Sequence, residues 1–137
     1  MVDLKLITKP DYITKAQSFG AEFGKNDFGH PDNFEQGTKF FELFLNGKLV
    51  GFRAHNEKLP GIFYAIQLFL IPKYRPKIKI ILSEILDWYE RRGHVYRIYV
   101  KNKIMRHYDH FDDIDFKVLE DGESVSLIEV FSVKYIK

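Results

Sequence analysis

The chain has 137 residues, a net charge of +2, 45% hydrophobic and 16% aromatic residues, and no cysteine. That apolar content excludes disorder, and the length suits one domain, residues 1–137, with a core of its own. Lack of cysteine excludes disulfides, thiolate metal sites and a cysteine nucleophile, and so small a charge gives no footprint for a specific nucleic acid. No charged-then-apolar leader opens the sequence and no apolar run approaches the roughly 20 residues that span a bilayer. A soluble, cytoplasmic protein without a membrane partner is expected.

Residues 3–8, DLKLIT, alternate polar and apolar and predict an opening strand. Thr8 and Asp11 give a capping-box-like start to a helix with Pro10 in its first turn, and Ile13, Ala16, Phe19 and Phe23 are expected to face inward. Residues 24–37 are dense in turn formers and predict a long loop with one short helical turn near Asp32 to Phe34. Residues 39–45 and 48–55 read as strands joined by Asn46-Gly47, a hairpin signal because both turn residues accept positive φ. NEKLPG, residues 56–61, then turns the chain into a buried strand, AIQLFLI, that ends before Pro72.

After a cationic turn, Ile78, Ile81, Leu82, Ile85, Leu86 and Tyr89 recur at three- and four-residue steps, so a helix over residues 77–92 must pack this stripe on the sheet. Pro76 suits its first position and Gly93 the residue past its end. Arg75, Lys77 and Lys79 then sit at the positive end of the helix dipole, each at a cost of a few tenths of a kcal/mol up to about 1. That placement has two readings: an anion, such as a phosphate, or an acidic protein binds the turn between Lys73 and Lys79, or the turn is a solvated basic loop. HVYRIYV, residues 94–100, is the next strand, residues 102–110 a short helix, and residues 114–118 and 124–135 a closing hairpin turned at Asp121-Gly122. Strand, helix, strand order predicts that the strands ending at Ile71 and Val100 are parallel neighbours joined by a right-handed crossover.

The stretch IPKYRPKIKIILSEIL resembles the acyl-coenzyme A turn of the GCN5-related N-acetyltransferases, in which a strand ending Val-x-Pro runs into Arg/Gln-x-x-Gly-x-Gly/Ala and a helix. Pro72, Tyr74 and Arg75 match this pattern in place. Ile78 and Ile80 stand where the family has small residues, and Pro76 where it often has glycine. In YVKNKIMRHYDHF, Asn102 and Tyr108 resemble the asparagine and the thiolate-protonating tyrosine that follow the family's fifth strand. Element order matches the family fold over nearly the whole chain, which implies an α/β (α+β) architecture, a central mixed sheet of about six to seven strands flanked by helices. Size and missing loop glycines also resemble small acetyltransferase-like proteins of tailed bacteriophages.

The resemblance implies acetyl-CoA as cofactor, held by Leu70, Ile71, Arg75, Lys77, Ile78, Lys79 and Asn102, with Tyr108 as acid and Gln67 holding a water as base. Residues 62–71 carry no carboxylate, so the base is such a water, held by Gln67 and Tyr64, or His55. Each of these has a plain structural reading as well: a satisfied core amide, a packing tyrosine, a turn histidine. His107, Asp109, His110, Asp112 and Asp113 form the one metal-like cluster, without the rigid third ligand a zinc site needs, so no metal is expected. Glycines let backbone N–H groups reach a pyrophosphate, and Pro76 and two β-branched residues remove that freedom. The leading expectation is therefore an acetyltransferase-fold protein with a degenerate cofactor turn, acting by binding with weak or lost transfer. The alternatives are an active acetyl-CoA-dependent N-acetyltransferase, and a non-enzymatic virion component or host-factor inhibitor.

Overall fold

The computed structural model describes residues 1–102 and 114–133. In chain order they form β1 (Val2–Ile7), α1 (Lys9–Ser18), a 3-10 turn (Pro31–Asn33), β2 (Lys39–Leu45), β3 (Lys48–Leu59) and β4 (Ile62–Leu70). A second 3-10 turn (Pro72–Lys77) leads into α2 (Ile78–Arg91), followed by β5 (Val95–Lys101), β6 (Ile114–Glu120) and β7 (Val125–Val133). All seven strands join one sheet in the order β1-β2-β3-β4-β5-β7-β6. Only β4 and β5 run parallel, and α2 is the connection between them, as the strand, helix, strand order requires.

Local chemistry explains most of these boundaries. Asn46 (φ 51°) and Gly47 (φ 80°) both take the left-handed conformation that lets a two-residue turn follow the strand twist between β2 and β3. The Thr8 hydroxyl caps α1 by accepting from the Asp11 N–H at 3.2 Å. At its other end, Ala21 N–H reaches back to the Ala16 carbonyl and Gly20 N–H to that of Gln17, with Gly20 at φ 99°. This paired closure ends α1 at Ser18, earlier than the apolar pattern implies. Phe19 is consequently a half-exposed cap residue, Phe23 lies beyond the helix, and the fully buried pair is Tyr12 and Ala16, four residues apart on one face.

Two other boundaries moved for tertiary reasons. Asn56, Glu57 and Leu59 pair with Tyr64, Phe63 and Ile62, so β3 continues through the segment expected to turn, and the turn shrinks to Pro60-Gly61. Pro76 lies inside the 3-10 turn, and α2 begins at Ile78, whose N–H bonds to the Arg75 carbonyl. A 3-10 turn tolerates the fixed φ of proline where a longer α-helix would lose a bond. From the expected stripe, Ile81, Ile85, Leu86 and Tyr89 are buried, whereas Ile78 is 40% exposed at the helix mouth.

The sheet divides two apolar layers. On one side α2 packs Ile81, Ile85, Leu86 and Tyr89 against Val2, Leu43, Phe63, Ala65, Tyr96 and Ile128. On the other, α1 sets Tyr12 and Ala16 against Phe40, Phe52 and Ala54. Each fully buried aliphatic or aromatic side chain contributes about 1.5–3 kcal/mol. Among the described residues no helix is long and apolar enough to cross a membrane.

Gly51 marks a close approach between β3 and β4, because a Cβ there would run into the Phe69 carbonyl oxygen and press on Leu70. Backbone cannot step aside as a flexible side chain can. Gly51→Ala is expected to lower unfolding stability by about 1–3 kcal/mol, measured by urea titration; an unchanged midpoint would show that the two strands have slack.

Candidate active-site cleft

The cleft originates in one extra residue. Ala54 of β3 pairs with Gln67 of β4 and His55 with Ala65, which leaves Ile66 as the unmatched residue of a β-bulge. A bulge bends its strand and increases the local twist. On the other edge of β4, pairing with β5 stops at Ala65 and Ile98, although β4 runs on to Leu70 and β5 to Lys101. The parallel strands therefore part at the bulge. Beyond Ala65 the β5-facing backbone of β4 has no strand partner among the described residues, and a cavity of about 510 Å³ opens there.

Side chains from several elements wall this cavity, among them Tyr64 and Gln67 (β4), Tyr99 (β5), Lys58 (β3) and Phe34 and Glu35 from the loop before β2. Gln67 is held at both ends of its amide. Its Oε1 accepts from the Tyr12 hydroxyl at 2.6 Å and its Nε2 donates to the Gly29 carbonyl at 3.1 Å. Burial pushes the Tyr12 phenol well above its ordinary pKa, so the hydroxyl stays a donor and fixes which end of the amide faces it. Tyr64 is held likewise: its hydroxyl accepts from Arg97 Nη1 at 3.2 Å, and Arg97 Nε donates to Glu129 at 3.2 Å.

His55, the second base considered from sequence, lies elsewhere. It is 2% exposed, packed in the α2-side core between Phe41 and Phe63, with Nδ1 sharing a 2.7 Å hydrogen bond with the Tyr89 hydroxyl. Burial, reinforced by the nearby Arg53 guanidinium, pushes its pKa down from 6.5 to about 3. A base for a substrate in the cleft has to reach the other layer, so His55 is a neutral core residue.

The basic turn sits where α2 begins. Leu70 and Ile71 are buried at the end of β4, with the Ile71 N–H donated to the Val50 carbonyl at 2.9 Å. Arg75 Nε donates to the Leu70 carbonyl at 3.4 Å and its guanidinium lies 5.7 Å from the Phe69 ring centroid. Pro72 and Pro76 carry no N–H, the Tyr74 N–H is bonded to the Ile71 carbonyl and that of Ile78 to Arg75. Lys77 is the N-cap residue of α2 and offers no side-chain cap; Lys79, Ile78 and Ile80 follow in its first turn. Asn102, at the end of β5, is tied to the β6–β7 turn: Nδ2 donates to the Gly122 carbonyl at 2.7 Å and Oδ1 accepts from the Ser126 hydroxyl at 2.6 Å. Tyr108 and the metal-like run from His107 to Asp113 lie outside the described residues.

Solved structures resemble this arrangement. The ribosomal-protein-S18-alanine N-acetyltransferase of Escherichia coli superposes with a TM-score of 0.57 at 13% identity, over 100% of this chain and 97% of its own. The N-acetyltransferase PseH of Campylobacter jejuni, solved with acetyl coenzyme A, gives 0.57 at 13%, over 94% and 97%. The PaiA N-acetyltransferase of Thermoplasma acidophilum, solved with coenzyme A, gives 0.56 at 17%, over 98% and 99%. The fold is that of the GCN5-related N-acetyltransferases. No protein-family model matches the chain, and no curated protein sequence matches it significantly. The acetyltransferase fold is thus carried here by its topology, with little of the sequence held in common.

Within this fold, sequence reasoning singled out Gln67 but missed Ile66, Lys58, Glu35 and Tyr99. The single trace of the bulge is that Ile66 and Gln67, adjacent in sequence, both contact the α1 side, Ile66 in its apolar cluster and Gln67 through Tyr12. An apolar run cannot reveal such a slip, because period-two alternation is invisible when both faces are buried.

The buried histidine makes an acid-stability prediction. Below pH 6.5 the unfolded chain binds a proton at His55 that the folded protein refuses down to about pH 3. Stability is therefore full above 6.5 and is lost as pH falls through that window, by up to about 1.4 kcal/mol per pH unit from this group. His55→Asn should flatten the stability profile between pH 6.5 and 4 relative to the parent, read by denaturant titration at each pH; parallel profiles would show that His55 charges freely in the fold.

Proposed function

We infer that this protein is an acyl-coenzyme A-dependent N-acyltransferase that uses the cleft between β4 and β5. The observation that carries the inference is the parting of those strands at Ala65 and Ile98 beside the Ile66 bulge, which leaves β4 backbone open to a ligand in a partly enclosed cavity. An N–H on that open edge is a fixed donor for a thioester carbonyl, whose oxygen gains charge as an amine attacks, and fixed donors need no reorganisation during reaction. When bound, the cofactor supplies the acyl thioester; the strands' open edge fits its acyl end, and Lys73, Arg75 and Lys77 would hold its phosphates. Gln67 and Tyr64, both immobilised by hydrogen bonds, orient a water that takes the amine proton, and Tyr108 serves as acid toward the departing thiolate.

A second reading is favoured by the turn itself. Pro76 removes an N–H, Ile78 and Ile80 present branched side chains with 40% and 38% exposure, and cationic side chains replace the glycine amides of the family pattern. Lysines hold phosphate less exactingly than a fixed backbone, and a displacement of about 1 Å costs on the order of a hundredfold in rate. A phage-encoded protein with such a turn would act by binding, as a virion part or an inhibitor of a host factor, with transfer weak or lost.

One experiment separates the two. Acetyl-CoA at 100 times its dissociation constant stabilises by about 2.7 kcal/mol, so a rise in melting temperature that vanishes in the Arg75→Glu, Lys77→Glu double variant is expected. The double variant itself should fold and melt near the parent, since the favourable reversal at Lys77 beside the α2 N-terminus is set against the lost Arg75 hydrogen bond to the Leu70 carbonyl. Stabilisation together with amine acylation that is lost in Tyr108→Phe establishes the transferase. No stabilisation at millimolar acetyl-CoA overturns it in favour of the binding reading.

A further inference from the structure

The cleft already holds an ammonium group, and it belongs to the protein. Near the end of β3, Glu57 pairs with Phe63 and Leu59 with Ile62, so Lys58 is the extra residue of a second bulge. Bulges re-aim side chains, and this one lies on the cavity wall. Lys58 Nζ sits 4.8 Å from the centroid of the Tyr64 ring, 5.7 Å from that of Tyr99, and 3.2 Å from Glu35 Oε1. The two rings stand on the parting strands with centroids 6.0 Å apart. Glu35 is steadied by its own turn, in which its carbonyl accepts from the Thr38 N–H and hydroxyl at 3.2 and 2.7 Å. Two aromatic faces and a carboxylate are the chemistry that recognises an alkylammonium group.

We propose that Lys58 is a built-in competitor for the ammonium-binding end of the cleft, and that a primary amine on an unbranched alkyl chain, the shape of a lysine side chain, enters by displacing it from Tyr64, Tyr99 and Glu35. Two ammonium groups compete for one carboxylate and one pair of rings, since like charges a few ångströms apart repel. Lys101 also lines the cavity, and Glu35 is the one carboxylate among its described lining residues, so a second cation gains nothing while Lys58 stays. Lys58 thereby acts as a threshold: amines that engage both rings and the carboxylate displace it, and those that engage one contact do not. The inference rests on reading the cleft as the amine side of a transferase, and its test uses no acyl thioester, so the two can fail separately.

The probe is n-butylamine at pH 7, followed by NMR. In the parent protein the Lys58 ε-methylene protons should be shifted upfield by the Tyr64 and Tyr99 ring currents and should move toward free-lysine positions as amine is added. Lys58→Met, which keeps the stem and removes the charge, should bind the amine roughly tenfold more tightly, while Lys58→Arg should not gain affinity. Free-lysine positions in the parent, shifts unaltered at saturating amine, or equal affinity in Lys58→Met and parent would each overturn the proposal. The first two readings need no variant, so a Lys58→Met protein that failed to fold would leave the test intact.

Discussion

The parting of β4 from β5 is the constraint on which this molecule is arranged. A parallel pair buried on both faces normally stays hydrogen-bonded to its end, because orphaned backbone groups cost free energy comparable to a lost hydrogen bond. Here pairing ends at Ala65 and Ile98 while both strands continue. Both strands stay paired on their outer edges where they part: β4 with β3 as far as Leu70, and β5 with β7 as far as Lys101. The bulge at Ile66 then redirects β4, leaving that one residue without a partner on β3 while pairing resumes at Gln67. An opening made this way belongs to the sheet itself and does not depend on a flexible loop.

The layer under α2 keeps that geometry rigid at some cost. Arg53 is 2% exposed, and its Nε and one terminal nitrogen find no hydrogen-bond partner among the described residues. Its guanidinium lies 5.1 Å from the Tyr96 ring centroid, so an aromatic face compensates part of the lost hydration. This charge helps keep His55 neutral, and His55 in turn engages Tyr89, which packs against Phe63 and Tyr96. One aromatic and polar cluster thus joins β3, β4, β5 and α2 directly behind the strands that part. The α1 layer does the complementary work on the cleft side, where Tyr12 fixes Gln67.

Charged groups are likewise set at two separate places, the turn before α2 and the wall of the cleft. At the start of α2 the turn carries Lys73, Arg75 and Lys77, Pro72 and Pro76 have no N–H, and those of Tyr74 and Ile78 are already bonded. Toward the loop before β2, aromatic faces and one carboxylate favour a cation, and the protein's own Lys58 occupies that end.

Local signals in the sequence determined every element that depends on near neighbours: the Asn46-Gly47 hairpin, the Thr8 cap, the apolar stripe of α2, and the strand, helix, strand order that makes β4 and β5 parallel. Those features follow from φ preferences, side-chain spacing and connection length, which a linear reading can weigh. Tertiary structure alone decided that β3 runs on to Leu59, that α1 stops at Ser18 with Tyr12 inside, and that His55 faces the core. It also decided the two bulges that leave Ile66 unpaired and aim Lys58. Bulge position is set by register against a partner strand that is distant in sequence or equally apolar, and moving it by one residue exchanges the faces of everything beyond it. No local pattern in residues 55–71 encodes that choice, so the cleft became legible only once β3, β4 and β5 were seen side by side.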